Sequence, residues 1–120
     1  MCETSEMKTI IAGSRNITDY TLVEAAVKES GFEITEVVSG AARGVDRLGE
    51  VWADQHQIVY RQFKADWNTH GKAAGFIRNQ EMADYAEALV AVWNGSRGTK
   101  DMITRATNRG LKVHIKRVPT

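Results

Sequence analysis

Three short stretches of the chain carry the residue types that hold anions. They are Gly13-Ser14-Arg15-Asn16, Ser39-Gly40-Ala41-Ala42-Arg43-Gly44-Val45-Asp46 and Asn94-Gly95-Ser96-Arg97-Gly98-Thr99. Glycine lets a backbone turn tightly and lets a ligand approach it closely. Free amide groups at the start of a following helix point outward, and the helix dipole favours negative charge there. Serine and threonine hydroxyls add short donors, and Arg15, Arg43 and Arg97 can offer forked guanidinium contacts to phosphate oxygens. One such turn is weak evidence, because glycine often serves only as punctuation. Three with the same chemistry point to a phosphate-bearing ligand. No GxxxxGK[ST] loop is present, which excludes a standard P-loop NTPase, and Ser39–Gly44 does not match the dinucleotide G-x-G-x-x-G fingerprint.

The intervening segments must place these turns together. Lys8–Ala12, Thr35–Ser39, Ile58–Phe63, Ala88–Trp93 and Leu111–Ile115 read as five strands. Ala88–Trp93 is nearly all apolar, as expected of a strand buried on both faces. Thr18–Ser30, Arg43–Gln57, Gly71–Ala86 and Thr99–Asn108 read as four helices, the first with Thr18 or Asp19 as its N-cap and Gly31 as its stop. Strand–helix alternation of this kind predicts an α/β fold: a Rossmann-like three-layer α/β/α domain with a parallel sheet of about five strands. In such sheets ligands bind at the carboxyl ends of the strands, where all three turns fall. Lys64–His70 reads as the one longer irregular stretch.

Composition narrows the function classes. The 120 residues fit one domain over 8–118, preceded by a disordered leader over 1–7. Sixteen basic side chains face fifteen acidic ones, a formal charge of +1, so bulk nucleic-acid or membrane binding has no compositional support. The single cysteine, Cys2, has no partner for a disulfide or a metal site. No metal site and no cofactor are expected. No apolar run reaches the roughly 18 residues of a membrane helix, and no secretory signal is evident, so a cytoplasmic protein is the expectation.

The order of the three turns, taken with Ala65-Asp66-Trp67, Gly71-Lys72-Ala73-Ala74-Gly75 and Arg78-Asn79-Gln80-Glu81-Met82, resembles the YspA-like branch of the SLOG superfamily. That superfamily includes the DNA-processing protein DprA and the Lonely Guy phosphoribohydrolases. The resemblance runs from about Lys8 to about Lys116. It implies a Rossmann-like fold, a nucleotide-type small-molecule ligand and a homo-oligomer. The chemistry of the turns places ligand contacts at Gly13, Ser14, Arg15, Ser39, Gly40, Ala41, Gly44, Gly95, Ser96, Gly98 and Thr99, and the resemblance adds Asp46, Arg78 and Asn79.

One departure bears on catalysis. Lonely Guy enzymes carry a glutamate three residues beyond the Gly-Thr of the last motif, and Met102 holds that position here. Asp101 comes one residue earlier, which turns it roughly 100° around a helix. Cleavage of an N-glycosidic bond needs a well-placed carboxylate, which Asp46, Asp101 or Glu81 would have to supply. The first expectation is therefore a nucleotide-binding domain acting as a sensor or sequestering protein. The alternative is an N-glycosidic hydrolase with Asp46 or Asp101 as its catalytic carboxylate. Single-stranded DNA binding stands third, against the near-neutral charge.

Several residues keep two readings. Asp46 either touches a ribose or acts as a base, or it simply complements a helix N-terminus. Arg78 and Asn79 either reach the ligand or face solvent. Trp67 either stacks on a base or caps an apolar surface. Trp52 and Trp93 read as core. His56, His70 and His114 show no ligand spacing, and Lys112, Lys116 and Arg117 read as a solvated tail.

Overall fold

The computed structural model describes residues 6–119. Cys2 and most of the expected leader lie outside the described residues. Met7 lies within them and exchanges two hydrogen bonds with Thr35, at 2.8 and 3.2 Å.

Five strands form one parallel sheet in the order β3-β2-β1-β4-β5: β1 is Lys8–Gly13, β2 Glu36–Ser39, β3 Val59–Gln62, β4 Ala88–Trp93 and β5 Lys112–Arg117. Four longer helices connect them: α1 (Tyr20–Ser30), α2 (Val45–Gln55), α4 (Ala74–Tyr85) and α5 (Arg97–Asn108). A helical turn, α3 (Trp67–His70), and a 3₁₀ turn at Gly71–Ala73 precede α4. This is the expected Rossmann-like α/β architecture.

The period of two along the strands divides the core. Ile11, Val37, Val90 and Val92 face α1 and α2, where Val23, Val27 and Trp52 cover them. Ile10, Val38, Leu89 and Ala91 face α4 and α5, beneath Met82, Met102 and Ala106. The central strands β1 and β4 are thus buried on both sides, which accounts for their continuous apolar character.

Strand order determines where a site can lie. From β1 the chain moves outward to β2 and β3, then crosses to the other side of β1 for β4 and β5. The crevice between the carboxyl ends of β1 and β4, where Gly13 pairs with Val92, is the topological switch point.

Several boundaries differ from the sequence reading. The second helix starts at Val45 rather than Arg43, because Ala41 (φ 61°) and Gly44 (φ 75°) hold Gly40–Gly44 as an irregular turn. The last helix starts at Arg97, two residues before Thr99. Lys64–His70 is not wholly irregular: the Asp66 carboxylate accepts from Thr69 N at 3.1 Å and caps α3. The basic C-terminal group is not a solvated tail. β5 continues through Arg117, Lys116 Nζ lies 3.0 Å from Glu29 Oε2, and Arg117 sits over the Trp93 ring at 4.6 Å.

Candidate functional site

A cleft of about 490 Å³ opens at the switch point. Gly13 ends β1 and Arg15 follows it, Asp46 comes from α2, Arg78 and Asn79 from α4, and Gly98 and Thr99 from α5. Its apolar floor and walls are Ala12, Phe76, Met82, Met102 and the half-exposed Trp67. Three cations line it, Arg15, Lys72 and Arg78, against one carboxylate, Asp46.

The first turn of α5 is its most anion-receptive part. The N-cap Ser96 makes no side-chain cap bond, and no acidic residue stands in the first turn. Among the described residues the N–H groups of Arg97, Gly98 and Thr99 have no partner. A cation, Arg97, opens the helix at the end where the dipole disfavours positive charge. α1 and α3 differ, since Asp19 and Asp66 cap them by accepting from Thr21 N and Thr69 N. Gly98 lines the cleft, and a Cβ built on it would meet nothing within 4 Å.

Ser14 holds two of the turns together. Its Oγ donates to Asn94 Oδ1 at 2.5 Å, lies 3.0 Å from Ser96 Oγ and accepts from Asn94 N at 3.3 Å. Its carbonyl oxygen receives Ile17 N and Val45 N. Gly44 packs against this same turn: a Cβ there would stand 2.5 Å from the carbonyl oxygens of Ser14 and Arg15. Ser14 and Gly44 therefore shape the turns from behind, and neither lines the cleft.

Asp46 is only 6 % exposed. Burial raises its carboxyl from the ordinary 3.8 to about 6, opposed by the Arg78 charge and by the Ala42 N–H that it accepts at 3.3 Å. Arg78 reaches from α4 to donate to Gly40 O and, through Nε, to Asn79 Oδ1 at 3.1 Å. Burial lowers its pKa, Asp46 raises it, and the like charge of Arg15 lowers it further. Asn79 Nδ2 then donates to Gly98 O at 3.2 Å and Asp101 Oδ2 at 3.0 Å, joining α4 to α5.

The remaining sequence-predicted residues fall elsewhere. Gly40 and Ala41 line a second, contiguous depression beside β2. Ser39 is fully buried, donates to Glu50 Oε2 at 2.7 Å and accepts from Ala41 N at 3.1 Å. Gly95 turns at φ 103° without lining the cleft. Asp101 pairs with Arg105 at 2.8 Å and opens on a different surface depression. Glu81 likewise lies outside the cleft, on the outer side of α4. Met102, 1 % exposed, occupies the cleft floor.

Sequence reading missed Lys72 and Phe76 as cleft residues, and the buried Glu50, which binds both Ser39 and Gln62 Nε2. The spacing of Asp46 and Glu50, four apart on one helix face, was the available signal for Glu50. Among the described residues no group of three His, Cys, Asp or Glu side chains could hold a metal, and no helix is long and apolar enough to cross a membrane.

The sequence model of the YspA, cpYpsA-related SLOG family, YAcAr, matches residues 7–70. The Gene 61 protein of Mycobacterium phage D29 is 33 % identical over 117 residues, covering 88 % of this chain and 93 % of its own. The chain belongs to this SLOG family. The family match spans β1 to α3, and so includes the first two glycine-rich turns. The fold is also that of DNA processing protein A (DprA) from Streptococcus pneumoniae, with a TM-score of 0.71, 17 % identity and 92 % of this chain covered. This SLOG chain spans half the length of that DprA chain.

Proposed function

We propose that this SLOG domain binds a nucleotide or nucleotide derivative by its phosphate, as a sensor or sequestering protein. The observation that carries the reading is the first turn of α5. It is uncapped, lacks acidic residues, and presents Gly98 and Thr99 to a cleft lined by Arg15, Lys72 and Arg78. An anion seated there would satisfy the free N–H groups and offset the clustered positive charge. The apolar walls, with Trp67 and Phe76, suit a base beside that phosphate. Family membership agrees with a nucleotide-type ligand.

The test is incubation of the purified protein with nucleotides, NAD derivatives and cyclic nucleotides, reading thermal shift and products by mass spectrometry. A ligand at 100 times its Kd stabilises a fold by roughly 2.7 kcal/mol. A shift with the ligand intact supports a binder. No shift across the panel removes the reading.

Asp46 favours a second reading, an N-glycosidic hydrolase. A carboxyl raised to about 6 in a cleft can exchange a proton near neutral pH. Release of a base in the same assay, lost in Asp46→Asn, would establish it. DprA is a DNA processing protein, so a single-stranded oligonucleotide belongs in the panel. Affinity that falls steeply with salt would mark nucleic-acid binding.

A further inference from the structure

We infer that the ligand carries two separate phosphoryl groups, the second held in the depression beside β2. This inference rests on the nucleotide reading of the main cleft. That depression, about 290 Å³, is lined by Arg15, Arg43, Lys64 and Arg78 and by no carboxylate. Among the described residues none of these four cations has a carboxylate within ion-pair distance. Among the arginines outside the depression, Arg47, Arg61, Arg105 and Arg109 each lie within 4.0 Å of an acidic oxygen, whereas Arg97 and Arg117 do not. Cations without an ion-pair partner are thus gathered at the site, where burial lowers the Arg78 pKa, the nearby Asp46 raises it and the like charge of Arg15 lowers it further. A second phosphoryl group supplies the missing counter-charge.

The two hollows form one surface. Arg15, Ala42, Trp67 and Arg78 line both. Arg78 donates Nη1 to Gly40 O and Nε to Asn79 Oδ1, which leaves Nη2 for a ligand on either side. Trp67, 53 % exposed, stands at the junction and offers a ring for a base between the two anions. The ligand class that fits is a nucleoside flanked by two phosphates, as in a 5′-phosphorylated dinucleotide.

Calorimetric titration separates the subsites. The probes are the four nucleoside 5′-monophosphates, the corresponding 5′-phosphorylated dinucleotides and a 5′-phosphorylated 12-mer DNA strand. At least one dinucleotide should bind ten-fold or more tightly than its monophosphate. Lys64→Glu should abolish that advantage and leave monophosphate affinity unchanged, while Lys64→Arg should retain it. Lys64 is exposed, and among the described residues its side chain makes no ion pair, so its replacement should leave the fold intact. Equal affinity for the two probe sizes, or a dinucleotide advantage that survives Lys64→Glu, overturns the second subsite while leaving the first. A further ten-fold gain for the 12-mer overturns the small-ligand class in favour of a nucleic acid. No binding of any probe removes the nucleotide reading itself, and this inference with it.

Discussion

The Arg78 guanidinium on α4 donates to the carbonyl oxygen of Gly40, at the carboxyl end of β2. This single side chain spans the mouth of the site and ties a helix on one sheet face to the turn that starts the helix on the other. A Cβ on Gly40 would stand 2.7 Å from Arg78 Nη1 and 2.6 Å from Asp46 Oδ2, so the contact needs glycine for space. Arg78→Lys keeps the charge but lacks the planar fork that serves Gly40 and Asn79 together. We expect Arg78→Lys and Arg78→Ala each to weaken ligand binding ten-fold or more in calorimetry. Ala should do more, because it also removes the cation beside Asp46. Wild-type affinity in Arg78→Ala would show that the guanidinium serves the fold alone.

Asp46 gives a pH dependence of defined sign. Its folded carboxyl titrates near 6, above the ordinary 3.8, so the folded state holds its proton more tightly than the unfolded chain. Stability contributed by that proton is present below about pH 4 and is lost as pH rises through about 6. The two-unit difference corresponds to on the order of 3 kcal/mol. Glu50, which raises the value, and Arg78 and Arg15, which lower it, are the charges that act on it. Asp46→Asn keeps an acceptor for Ala42 N and carries no charge. In urea unfolding it should exceed wild type in stability at pH 7.5 and match it near pH 4. A gap between the two proteins that stays constant across that range would contradict the buried titration.

Ser14 separates holding a turn from touching a ligand. It is 1 % exposed and its hydroxyl already serves Asn94 and Ser96. Ser14→Ala would leave the Asn94 oxygen and N–H without this partner. Unsatisfied buried groups cost about 1–3 kcal/mol, and that loss should appear in urea denaturation. Because Asn94 and Ser96 lead into α5, ligand affinity should fall as well. Unchanged stability would mean that water replaces the hydroxyl freely.

Much of this architecture is legible in the sequence. The apolar run Ala88–Trp93 and the glycine-terminated strands gave the parallel sheet, and the switch point follows from strand order. Arg78 and Asn79 were legible only through the family resemblance, since both sit in mid-helix with no local signal. Other features depend on tertiary contact. Ala41 in left-handed conformation cannot be read from an alanine; it is held by Ser39 Oγ accepting from its N–H. Glu50 becomes a buried partner of Ser39 and Gln62 only when β2, β3 and α2 meet. Asp101 read as a catalytic candidate by proximity to Gly98-Thr99, yet the helix phase turns it toward Arg105 and leaves Met102 facing the cleft. Asp66-x-x-Thr69 has the spacing of a helix cap, a signal that the polar character of Lys64–His70 masks.

Gly44 and Gly98 make opposite predictions from the same substitution. Gly44 has φ 75° and ψ −131°, a conformation that L side chains avoid, and its Cβ would meet two backbone carbonyls at 2.5 Å. Gly44→Ala should lower stability by about 2–4 kcal/mol, from backbone strain and steric conflict together. Gly98 sits in the first turn of α5, and a Cβ there would meet nothing within 4 Å. Within a helix alanine is favoured over glycine by up to about 1 kcal/mol, so Gly98→Ala should hold or raise the melting temperature. Nothing inside the protein requires a glycine at that place. If a phosphate seats on the N–H groups of Gly98 and Thr99, the added methyl stands beside it, and Gly98→Val should cut affinity ten-fold or more while the fold persists. Thermal melts and titrations of both variants decide this. A Gly98→Val protein that binds as tightly as wild type would move the anion away from α5 and toward Arg43 and Lys64.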